Sequence, residues 1–96
     1  MKEDLLKIID NYGVKHQTTI WIEELSELIK EICKWQRNYD NWEGDLPQKN
    51  YNNLTKEMAD VENILDQMKI VLNNNLKVLK ERNKKNKRQL KRMKNE

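Results

Sequence analysis

Ninety-six residues carrying a formal charge of +3, with 36% charged and 36% hydrophobic side chains, describe one small polar domain. No apolar run reaches transmembrane length, one cysteine excludes an internal disulfide, and no His/Cys cluster provides a structural zinc site. A chain this short buries only a modest part of its surface, which leaves association with a second copy as the usual remedy.

Two glycines, one proline and no phenylalanine favour a few long helices over a sheet with many turns. Residues 3–12 read as a short helix with Leu5, Leu6, Ile8 and Ile9 on its apolar side and Gly13 as its stop. Residues 17–40 read as a long helix started by Thr18 or Thr19. Its expected buried stripe is Leu25, Leu28, Ile32 and Trp35, widened by Ile22 and Ile29. Residues 41–52 hold Gly44, Pro47 and several Asn, and read as a loop that brings Trp42 and Tyr51 back toward the helices. Residues 53–73 read as a second long helix, because Leu54, Met58, Val61, Leu65, Met68 and Leu72 recur at steps of four and three. Asn73, Asn74 and Asn75 then interrupt the pattern, and residues 76–94 read as a further helix with sparse anchors at Leu76, Leu79, Leu90 and Met93. The expectation is an all-α helix bundle over residues 1–96. Two long antiparallel helices and shorter terminal ones build it, and oligomerisation completes it.

Charge is unevenly distributed. Residues 80–94 hold nine Lys/Arg and one acid, a net +8, whereas the rest of the chain is net −5. The basic segment 80–96 is expected to be loosely held. A start without the apolar core of a secretion signal, together with a lone Cys33, fits the cytoplasm. The Asn-, Lys- and Ile-rich composition fits an AT-rich bacterial or phage genome.

Each long helix carries a pair of acids three residues apart: Glu24 with Glu27, and Glu57 with Asp60. That spacing puts each pair on one helix face, one turn apart. All four border the apolar stripes, where acids placed only for solubility would favour the far face. Carboxylates converging between antiparallel helices repel one another unless a hard divalent cation joins them. All-oxygen ligation suits Mg²⁺, with Mn²⁺ as a substitute, and the lack of an accompanying histidine argues against zinc. A helix E-x-x-E is common on solvated surfaces, so the signal lies in the matched pairs on two stripe-bearing helices.

The stretch QTTIWIEELSEL, residues 17–28, followed by LTKEMADVENILD, residues 54–66, resembles the MazG-like nucleotide pyrophosphohydrolases. E-x-x-E followed by E-x-x-D marks the all-α NTP pyrophosphatases, a group that includes dimeric dUTPases. The resemblance covers roughly residues 12–92 and is dense only at the two motifs. It implies a magnesium-dependent enzyme that hydrolyses a nucleoside triphosphate to the monophosphate and pyrophosphate, as a homodimer or homotetramer. It makes Glu24, Glu27, Glu57 and Asp60 the catalytic metal ligands, with Glu23 as helper and Glu31 as outer support. It points to Gln17 and Trp21 as nucleotide contacts, against the plainer reading of Trp21 as core. Lys34 and Arg37, with Lys56, Lys84, Lys87, Arg88 and Arg92, would meet phosphate, the alternative being a solvated tail. His16 reads as structural and Cys33 as a small buried hydrophobe. The 29 residues separating Glu27 from Glu57 are long for the family, and leave the base recognised open.

Two other readings compete. A basic helical nucleic-acid-binding module would explain the charged C-terminal segment by phosphate attraction alone, but leaves the paired acids unexplained and lacks an aromatic there. A non-catalytic helical oligomer would use the 54–72 repeat as its seam.

Overall fold

A computed structural model of the chain describes residues 1–39 and 47–96, all helix apart from the junctions and chain ends. The elements run α1 Lys2–Tyr12, α2 Val14–Asn38, α3 Gln48–Leu72 and α4 Asn75–Lys94. Trp42 and Gly44 lie outside the described residues.

The junctions follow from residue chemistry. Gly13 ends α1 and opens α2 with φ 87° and ψ 157°, a backbone region that only glycine occupies cheaply. Its N–H closes on Ile9 O at 2.8 Å, and its carbonyl accepts from Gln17 N at 3.1 Å. α2 therefore starts at Val14, not at a threonine cap. Thr18 and Thr19 instead donate back to Lys15 O at 2.7 and 3.3 Å, as hydroxyls inside helices do. Pro47 stands just ahead of α3, so this helix starts five residues earlier than the apolar repeat indicates. Tyr51 is thus an exposed helical residue and not part of a loop. The polar opening QKNYNN carries no apolar period, which is why it reads as loop. Asn73 ends α3 in the left-handed region at φ 49°, and α4 begins two residues later.

α2 and α3 form the main interface, and α1 packs against both. Gln17 meets Gln67, and Glu24 meets Asp60. Position falls on α3 as it rises on α2, so the two long helices run antiparallel. Among the described residues the buried apolar ones are few: Leu5 and Ile9 of α1, Ile64 and Met68 of α3. At about 1.5–3 kcal/mol each, they make a small core.

The buried face of α2 differs from the apolar stripe expected from sequence. The side turned to α3 carries Gln17, Trp21, Glu24, Leu28 and Glu31, at steps of four and three. Of the expected stripe only Leu28 is half-buried. Leu25, Ile32 and Trp35, with the flanking Ile22 and Ile29, stay exposed. Apolar content did not decide this orientation. Hydrogen bonding did in part: turning Gln17 inward lets it pair with Gln67.

α4 continues helical to Lys94, and every residue in it except Val78 is exposed. The basic segment is thus a regular helix that tertiary packing barely holds. Among the described residues, no helix is long and apolar enough to cross a membrane.

Candidate metal centre

Three of the four acids of the E-x-x-[E/D] pairs meet between α2 and the middle of α3. Glu24, Glu57 and Asp60 each offer a carboxylate oxygen, and these oxygens lie within 4.8 Å of one another. Glu24 and Glu57 are half-buried and Asp60 is exposed. The helix register explains the convergence. On α2, Glu24 lies seven residues beyond Gln17; on α3, Asp60 lies seven residues before Gln67. The buried Gln17–Gln67 pair therefore sets the acids opposite one another two turns away.

Like charge and partial burial act in the same direction. Glu24 is pushed above the usual carboxylate range, first by burial and then by the charges of Asp60 and Glu57; a hydrogen bond with Asp60 adds to this. Glu57 is likewise raised, by burial first and then by Asp60, Glu27 and Glu31. Its Oε2 is buried and has no hydrogen-bond partner. Among the described residues, none of the ion pairs involves Glu24, Glu57 or Asp60. Hard oxygen donors this close, one of them with an unsatisfied lone pair, fit a small divalent cation that takes carboxylates and completes its shell with water or phosphate.

The fourth expected ligand stands apart. Glu27 is largely exposed, reaches Lys30 Nζ at 3.6 Å, and acts on Glu57 through charge. Glu31 has a more buried side chain, 14% exposed, and pairs with Lys34 at 3.1 Å. Lys34 thus lies about one turn beyond Glu31 on α2, with an exposed side chain. Arg37 is exposed at the end of α2. Lys56 is an exposed neighbour of Glu57, and Glu23 is also exposed.

The residues expected to contact a nucleotide separate into two groups. Trp21 is half-buried, one turn before Glu24. Gln17 is 4% exposed, and its amide is engaged on both sides. Its Nε2 donates to Gln67 Oε1 at 2.8 Å, and its Oε1 lies 2.9 Å from His16 Nδ1. Tyr12 stacks on His16 with ring centroids 5.0 Å apart. Gln17 is thus an interior hydrogen-bonding residue in this chain. Lys84 is paired with Glu81 at 3.7 Å, and Lys87, Arg88 and Arg92 are exposed on α4. Gln67 is the residue that sequence reading missed. It stands beside Met68 at the edge of the apolar stripe, and a polar side chain in that place is the one signal that could have found it. Cys33 is a free, exposed thiol and not the buried hydrophobe expected.

Comparison of the chain with family models, curated proteins and solved structures finds no match.

Proposed function

We propose that the chain is a divalent-cation-dependent nucleoside triphosphate pyrophosphohydrolase, acting as a homodimer or dimer of dimers. The observation that carries this reading is the crowding of Glu24, Glu57 and Asp60 within 4.8 Å on two facing helices. The resemblance of EELSEL and EMADV to the MazG-like motifs supplies the reaction class. Mg²⁺ held there would bridge the acids to phosphate oxygens that the acids themselves repel, and would lower the pKa of a bound water.

The chain's own groups support the remaining chemistry. A carboxylate of the cluster would take the proton from the water attacking the α-phosphorus. Lys34, paired with Glu31 at 3.1 Å, would meet the outer phosphates. Trp21 offers a partly exposed ring for a base.

The exposed, basic α4 favours a second reading, attraction to the phosphates of a nucleic acid. One experiment separates the two. The full chain is incubated with Mg²⁺ and a panel of standard and modified (d)NTPs, and released pyrophosphate is scored against phosphate. Pyrophosphate release from any member, lost in EDTA, supports the enzyme. No release from any member, with salt-sensitive binding to DNA or RNA, supports the second reading.

A further inference from the structure

α4 is a helix of 20 residues that the rest of the chain barely covers, and its charge is patterned. Eleven of the 20 residues are charged, ten of them basic. Yet Leu76, Leu79, Asn83, Asn86, Leu90 and Met93 recur at alternating steps of three and four with no charge among them. These are the a and d positions of a coiled coil, kept along the whole helix. The apolar members are open to solvent: Leu76 is 72% exposed, Leu79 48%, Leu90 58% and Met93 55%. Val78, the one residue of α4 that is not exposed, falls at a c position, where it lines a cleft with Leu65 of α3. The contact of α4 with the rest of the chain therefore lies away from the strip and leaves it uncovered.

The positions beside the strip decide what it can take. Lys80, Lys87 and Lys94 hold the e positions, and Asn75, Arg82 and Gln89 the g positions. The single acid, Glu81, sits at f on the far side and is already paired with Lys84 at 3.7 Å. Two copies of α4 repel in either direction: a parallel pair sets the g arginine against an e lysine, and an antiparallel pair sets e lysines against e lysines. Within α4, like charges one turn apart, such as Lys80 with Lys84 and Lys87 with Lys91, weaken the helix. Acids supplied from outside relieve both conflicts. Asn83 and Asn86 in the middle layers require a facing amide or hydroxyl, because a lipid surface would strip their water without replacing its hydrogen bonds. Attraction to nucleic-acid phosphates uses basic residues but needs no uncharged strip at heptad spacing.

We infer that α4 is a docking helix for a different protein, pairing its Leu76–Met93 strip with an acidic helix in a two-stranded coiled coil. The occupant carries aliphatic residues at a and d, a polar layer opposite Asn83 and Asn86, and Glu or Asp at e and g. Charge complementarity selects that occupant, and the basic flanks exclude a second α4. This docking is independent of the proposed chemistry, because α4 contributes none of the clustered acids. A chain that bound no metal and hydrolysed no nucleotide would still show it.

The test is binding of the full chain to a fluorescent synthetic peptide of about three heptads, followed by anisotropy at about 0.15 M salt. The peptide has Leu at a and d, except for Asn facing Asn83 and Asn86, and Glu at e and g. Wild type should bind it at least about thirtyfold more tightly than a peptide of the same composition in scrambled order. Leu76→Ser/Leu90→Ser keeps every charge at positions exposed in the single chain, and should weaken binding at least about thirtyfold. Lys80→Glu/Lys87→Glu, at e, should weaken it at least about tenfold. Lys84→Glu/Lys91→Glu, at b, makes the same change in net charge and should weaken it less than about threefold. Circular dichroism follows helical content in each variant; if the serine variant loses α4, the comparison of e with b reversals carries the test. Equal binding of patterned and scrambled peptides, equal effects of the e and b reversals, or no effect of a folded serine variant would each overturn the inference. So would tighter binding, at the same salt, to a short duplex DNA or to equimolar phosphatidylcholine–phosphatidylserine vesicles than to the patterned peptide.

Discussion

Replacing Glu57 by Gln removes one charge from a group of three while keeping its shape. Two unit charges no more than 4.8 Å apart repel by about 1 kcal/mol in water-like surroundings and by about 3–4 kcal/mol at an effective dielectric of 20. Asp60 is exposed, so the lower part of that range governs. A gain of about 1–2 kcal/mol in the metal-free state should raise Tm by roughly 5–10 °C for a chain of this size. The pH dependence has a defined sign. Glu24 and Glu57 hold their protons more tightly folded than unfolded, so their contribution favours the folded state below the ordinary value of 4.5. That contribution is lost as pH rises through the raised values. In EDTA, wild-type Tm should therefore fall as pH rises above the ordinary carboxylate range, and the fall should shrink in Glu57→Gln. Mg²⁺ at one hundred times its dissociation constant should restore about 2.7 kcal/mol to wild type at pH 8 and far less to the variant. The assay is thermal unfolding followed by circular dichroism at 222 nm, with EDTA or Mg²⁺. A lower Tm for Glu57→Gln in EDTA, or an equal Mg²⁺ effect on both proteins, would refute the reasoning.

Asp60→Asn should lower pyrophosphate release by at least about a hundredfold with helical content unchanged by circular dichroism. Glu27→Gln, at an exposed position that acts on the cluster through charge, should lose turnover as well if it turns inward as a ligand; near-full activity would confine the site to the three clustered acids. Gln67→Leu strands the buried amide of Gln17 and should cost about 1–3 kcal/mol in chemical denaturation, most of it regained in the Gln17→Leu/Gln67→Leu double variant. Asn73→Ala should cost about 1–2 kcal/mol because of its left-handed backbone, whereas Asn73→Gly should cost nothing, again read by denaturant midpoint.

The sequence makes the helices legible, but not all of their faces. Steps of three and four place α1, α2 and the body of α3, and Gly13 and the Asn run place their ends. The start of α3 is hidden because its first turns are polar, and a proline with ordinary helical residues behind it also fits a loop. The buried side of α2 is misread for a physical reason. Two adjacent seams run along the helix, and the more apolar one faces outward while Gln17, Glu24 and Glu31 face α3. Hydrophobic periodicity alone cannot choose between two adjacent seams on one helix. The acids were legible as pairs because spacing fixes face. Spacing alone did not show that Glu27 stays outside the group of three and pairs with Lys30. Gln17 looks like a ligand contact from its place before the motif, and its burial is decided by Gln67, fifty residues away.

Convergence of the acids on a shared ion is measured most directly with Mn²⁺, whose paramagnetic resonance signal disappears from the free pool when protein binds it. Wild type should remove Mn²⁺ from solution, Mg²⁺ should compete it back, and Asp60→Asn and Glu57→Gln should each weaken uptake by about tenfold or more. Equal Mn²⁺ uptake by wild type and both variants, or no uptake by any of them, would contradict the account.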